Sequence, residues 1–85
     1  MKLKRVEHVA IAVNDMAESI KMLQDTLGIE MEYEEEIGAT RLAMFPVGET
    51  YLELLSSDAS AEDSKVTGWI EKNGQSLFHL CFEVD

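Results

Sequence analysis

The run Val6-Glu7-His8-Val9-Ala10-Ile11-Ala12-Val13-Asn14-Asp15 returns in altered form as Leu77-Phe78-His79-Leu80-Cys81-Phe82-Glu83-Val84-Asp85. Each copy is short and strand-like, with one histidine near its start and an acidic residue near its end. The two histidines are 71 positions apart in a chain of 85. A period that long matches a small structural module, so the pattern reads as the opening of one unit followed by the opening of a second. In the first copy Val9, Ile11 and Val13 fall on one face of a strand, and His8, Ala10 and Ala12 fall on the other. The first set is bulky and suited to packing under a helix. The second is small and predicts a hollow beside His8.

Outward from this strand, Asp15 with Glu18 three residues on reads as a capping box. Met16, Ile20, Leu23 and Leu27 follow at helical spacing and Gly28 supplies a stop, which predicts an amphipathic helix over 15–27. Residues 29–36 read as an edge strand whose glutamates discourage aggregation. Gly38 marks a turn, 40–46 a strand ended by Pro46 and Val47-Gly48-Glu49, and 50–56 a strand in which Tyr51, Glu53 and Leu55 share a face. Residues 57–64 form a polar linker. Ser64 is placed to cap a short helix carrying Val66, Trp69 and Ile70, stopping near Gly74. A last strand begins near Leu77 and carries His79. The expected fold class is α+β, a βαβββ module followed by a linker helix and the first strand of a second module. The expected divisions are 1–57, 58–76 and 77–85, within one small domain.

Composition narrows the function. Apolar residues make up 46% of the chain, ample for a globular fold, although 85 residues bury only a modest core. The formal net charge is −10, which opposes a phosphate backbone and argues against nucleic-acid binding. Much of the acid lies in Glu30, Glu32, Glu34, Glu35 and Glu36, read as a solvated edge or loop. An anionic ligand would need a local basic patch, for which Lys2, Lys4, Arg5 and Arg41 are candidates. No apolar run approaches the roughly 20 residues of a bilayer span. The basic start Met1-Lys2-Leu3-Lys4-Arg5 is followed by no apolar signal core. Cys81 is the only cysteine, which excludes an intrachain disulfide and fits a reducing cytoplasm.

His8, Glu53 and His79 are the candidates for chemistry. Each interrupts an apolar strand pattern, and the two histidines hold matching places in the repeat, so pseudo-twofold packing would bring them together. Two imidazoles and a carboxylate suit a divalent transition metal and leave coordination positions open for water or substrate. The bland alternative is two hydrogen-bonded strand histidines and a solvent-facing glutamate. There is no glycine-rich phosphate loop. Cys81 shares a strand face with His79 and reads as a small core residue rather than a nucleophile, no acidic orienter being visible. The methionines read as core or surface filler, and Trp69 as an anchor for the linker helix.

At these residues the chain resembles the vicinal-oxygen-chelate superfamily, the glyoxalase/bleomycin-resistance/dioxygenase fold, and within it the methylmalonyl-CoA epimerases. The stretches that carry the likeness are Glu7 to Val13, Phe45-Pro46-Val47-Gly48-Glu49-Thr50-Tyr51-Leu52-Glu53-Leu54-Leu55, and Ile70-Glu71-Lys72-Asn73-Gly74 running into His79 to Asp85. The resemblance implies that His8, Glu53 and His79 match three of four metal-ligand positions, the fourth being a glutamate on the last strand of a second module. It implies a cobalt, manganese, nickel or zinc ion chelating the thioester carbonyl and carboxylate of an acyl-CoA. Carboxylate bases would then move the α-proton from one face to the other. Such an ion stabilises the enolate that an unaided carboxylate base could not generate.

Two departures qualify the likeness. Phe78-His79 stands where the family usually has two histidines. Arg41 stands where some epimerases carry a candidate base glutamate, and a guanidinium there suits a substrate carboxylate or phosphate instead. The catalytic base is expected outside these residues, in the second module. The expectation is therefore an epimerase-like half-fold, incomplete as a lone chain, working as a homodimer or with a complementing chain. The alternatives are a glyoxalase-like lyase or dioxygenase-like enzyme of the same superfamily, and a non-catalytic binding module.

Overall fold

The computed structural model describes residues 1–57 and 65–85. The elements are β1 (Leu3–Ala12), α1 (Met16–Lys21) continued by a π-helical turn (Met22–Thr26), β2 (Tyr33–Ile37), β3 (Thr40–Val47), β4 (Thr50–Ser57), α2 (Lys65–Asn73) and β5 (Ser76–Val84). They form a mixed α+β fold, a single five-stranded sheet in the order β2-β3-β4-β1-β5. The proposed Ser64 cap lies outside the described residues.

The strand β1 runs parallel to β4 and antiparallel to β5. Its alternation sorts the two cores. Val13 and Ile11 join Met16, Ile20, Leu23, Ala43, Phe45 and Leu54 beneath α1. On the opposite face Ala10 and Ala12 are wholly buried with Leu42, Met44, Leu55 and Val66. The small residues predict a hollow beside His8; the part of that face over Ala10 and Ala12 is filled instead, because α2 lays Val66, Trp69 and Ile70 against it. Small residues there admit a helix rather than leaving space. Gly74, at φ +75°, ends α2 in the left-handed region and turns the chain into β5.

The first helix departs from a uniform 15–27. Asp15 caps it as expected, its carboxylate accepting from the Glu18 N–H at 3.0 Å. From Met22 the turns widen, and the Leu27 N–H donates to the Met22 carbonyl at 3.3 Å. The wider turn rotates later residues off the apolar stripe. Leu23 stays buried, whereas Leu27 is exposed. β2 also begins later than expected, because Ile29 and Met31 pack against the α1 core instead of entering the sheet. Asp15→Ala should cost about 1 kcal/mol through the lost cap, read as a lower urea midpoint at unchanged slope.

The pairing of β1 with β5 has a local twofold. Val9 opposes Leu80, its counterpart 71 residues on, while His8 opposes Cys81 and Ala10 opposes His79. The register slips at Glu7, between the Val6–Phe82 and His8–Cys81 pairs, and again at Phe78, between the Ala10–His79 and Ile11–Leu77 pairs. Glu7 and Phe78 are themselves 71 apart, so the bulges are twofold mates. Each sits immediately before a histidine.

Candidate metal centre

Three adjacent strands bring His8, Glu53 and His79 to one place. Ala10 is opposed by Glu53 on one side and His79 on the other, so these side chains rise from one row across β4, β1 and β5. The Ala10 methyl is a floor too small to obstruct them. His8 comes from the next outward position of β1 on the same face. The His8 and His79 Nε2 atoms lie 3.0 Å apart. A Glu53 carboxylate oxygen lies 3.7 Å from the first and 3.8 Å from the second.

These separations test the fit of an ion. The point equidistant from three atoms so placed lies about 2 Å from each, the length of a nitrogen or carboxylate bond to a transition metal. The burial agrees with a site open on one side. The Glu53 side chain is 13% exposed and His8 17%, while His79 is 43% exposed. A carboxylate so shielded, facing two imidazole nitrogens, is in a setting that favours a cation. His8, Glu53 and His79 could therefore hold a divalent ion and leave positions open for a ligand.

Glu7, His8 and Cys81 form a second group whose ligand-type atoms lie within 4.8 Å of one another. His8 is common to both groups. It offers Nε2 to Glu53 and His79, and Nδ1 contacts the Glu7 carboxylate. Glu7 is an acidic neighbour of Cys81 that strand alternation does not reveal. Adjacent strand residues normally face opposite ways, and the bulge at Glu7 overrides that rule.

The structure does not bring Arg41 to this place. It lies with Ala43 and Phe45 on the α1 face of β3, and its guanidinium reaches Glu34 at 3.0 Å and Glu36 at 3.5 Å. Arg5 is likewise engaged, with Glu83 and the Glu49 carbonyl. Sequence reasoning passed over Lys65 and Lys72. They lie on one stripe of α2 with Gly68 and Trp69, lining a groove of about 600 Å³ that His79 and Phe78 also line. Their seven-residue spacing was the available signal. Beside His8 across β4 is Tyr51, whose phenol is raised above its ordinary pKa by a hydrogen bond to the Glu32 carboxylate and then by burial.

The family model described as Glyoxalase/Bleomycin resistance protein/Dioxygenase superfamily matches residues 7–85, and the chain belongs to that family. Among curated relatives, the mitochondrial methylmalonyl-CoA epimerase of Mus musculus is 33% identical over 99% of this chain and 48% of its own length. The ethylmalonyl-CoA/methylmalonyl-CoA epimerase of Cereibacter sphaeroides is 34% identical over 95% of this chain and 61% of its own. Among solved structures, a Streptomyces coelicolor methylmalonyl-CoA epimerase in complex with 2-nitronate-propionyl-CoA superposes with a TM-score of 0.86 at 32% identity, covering 95% of this chain and 60% of that one. The chain thus spans about half to three-fifths of the length of these relatives. Among the described residues no helix is long and apolar enough to cross a membrane.

Proposed function

We propose that this chain supplies three ligands of a divalent metal centre in an epimerase of the methylmalonyl-CoA type. The observation that carries the reading is the triangle of His8, Glu53 and His79, whose separations suit one transition-metal ion. Cobalt, manganese, nickel and zinc all accept that donor set. When bound, the ion supplies electrophilic stabilisation of the enolate oxygen of a 2-methylmalonyl thioester. His8, Glu53 and His79 would hold the ion. The reaction balances as one C–H bond broken and one remade on the opposite face, with carboxylate bases as the resemblance implies.

The groove beside His79 supports an anionic acyl-CoA substrate. In a chain of net charge −10, Lys65 and Lys72 place two cations along an aromatic wall that reaches a proposed ligand. This replaces Arg41 as the favoured place for substrate charge, since Arg41 is occupied by Glu34 and Glu36 on the other face. A second copy or a complementing chain belongs to the same proposal. Among the described residues β5 has a free edge, and it exposes Leu77, Leu80 and Phe82.

Incubation with methylmalonyl-CoA in deuterated water is the direct test. Metal-dependent exchange of the α-proton is expected. Metal bound without exchange at any protein concentration would overturn the epimerase reading.

A further inference from the structure

The two imidazoles occupy twofold-related places, but their surroundings are not the same. The bulge at Glu7 turns its side chain onto the ligand face, where the carboxylate contacts His8 Nδ1. The mate of that bulge turns Phe78 the same way, and its ring lies 5.4 Å from that of His79, centroid to centroid. One histidine is flanked by an acceptor and the other by an apolar ring. A bulge is a means of re-aiming a side chain, and both have been used to do so beside a proposed ligand.

We infer that Glu7 is a positioning residue that dictates which nitrogen of His8 carries its hydrogen. The neutral imidazole has one N–H and one bare nitrogen, and the hydrogen bond made by one nitrogen decides the role of the other. A carboxylate accepts only, so the Nδ1–H donates to Glu7 and Nε2 is left bare, aimed at Glu53 and His79. The 3.0 Å separation of the two Nε2 atoms then assigns the remaining hydrogen in the metal-free chain. His79 Nε2–H donates to His8 Nε2. His8 is ready for an ion before one arrives, whereas His79 must shed or relocate its Nε2 hydrogen to ligate. Carboxylates in this relation to a metal-bound imidazole fix ring orientation and raise ligand basicity. Cys81, whose sulfur lies within 4.8 Å of ligand-type atoms of Glu7 and His8, is a neighbour of this contact and not the source of the effect.

The inference rests on the metal reading for its purpose but not for its first readout. In nitrogen-resolved NMR of the metal-free chain, well above the ordinary imidazole pKa of about 6.5, His8 is expected in the Nδ1–H form. In Glu7→Ala it should shift toward the Nε2–H form favoured by a free histidine side chain, with Glu7→Gln, which keeps an acceptor oxygen, in between. In cobalt titration Glu7→Ala should bind about 10–100-fold more weakly, and Cys81→Ser should bind as the parent does. A parent His8 in the Nε2–H form, or a Glu7→Ala chain with unchanged tautomer, overturns the inference. So does a folded Glu7→Ala chain that binds cobalt undiminished. A parent chain that binds no cobalt yet shows the Glu7-dependent tautomer would sink the metal reading alone.

Discussion

His8→Ala is expected to weaken cobalt binding by at least about 100-fold, more than the 10–100-fold typical of losing an outer-shell partner. Glu53 and His79 rise on either side of Ala10, and His8 closes the triangle from the next position along β1. Without it two donors 3.8 Å apart face an open side, and no third protein ligand completes that set among the described residues. His79→Ala should act alike, since it leaves only His8 and Glu53. Calorimetric or spectroscopic titration with cobalt checks both, and circular dichroism verifies that the sheet persists. Undiminished binding in folded His8→Ala and His79→Ala would place the ion elsewhere. Cys81→Ser distinguishes the competing group, because an ion held by Glu7, His8 and Cys81 would show a thiolate charge-transfer band that this change removes.

Phe45→Ala should remove about 3–5 kcal/mol from the stability of the fold. Among the described residues Phe45 is the largest side chain that is fully buried, and it joins the α1 core to β3 and β4. Truncating a buried phenylalanine costs about 3–5 kcal/mol through lost transfer energy and the cavity left behind. Small domains are stable by roughly 0.05–0.15 kcal/mol per residue, or about 4–13 kcal/mol at this length. The loss is thus a large share of the whole at the upper end and nearly all of it at the lower. Urea denaturation followed by fluorescence of Trp69 reads the shift. Trp69 sits on the other face of the sheet, so its response reports the whole domain. A midpoint change worth less than about 1 kcal/mol would mean that the α1 core can collapse around the gap.

Much of this architecture is legible in the sequence, because the periods are clear. Two-residue alternation in β1 places Ile11 and Val13 under α1, and the capping box fixes the start of that helix. The repeat at 71 residues points to the meeting of His8 with His79. Three features are not legible for physical reasons. The π-helical turn changes the helical period, so Leu27 leaves the stripe on which 3.6-residue spacing would put it. The burial of Ala12 depends on α2 folding back across the sheet, a tertiary event with no local signal. The bulge at Glu7 breaks the rule that neighbours alternate, which hides the contact of Glu7 with His8. Arg41 shows the converse: its chemistry suits an anionic substrate, yet its register on β3 sends it to the face of Glu34 and Glu36.

The adjacency of the three ligand strands has a dynamic consequence. Among the described residues β5 is an edge strand, paired in the sheet with β1 alone and covered on one face by α2 through Trp69. Edge elements open locally at a small fraction of the global unfolding free energy. Each opening of β5 would carry His79 away from His8 and Glu53, so fraying and loss of a ligand become one event. An ion bound across β4, β1 and β5 would act as a transverse rivet, adding its binding free energy to the cost of lifting that one strand. The amides of the outermost strand would then be the most sensitive gauge of occupancy, more so than those of the buried centre.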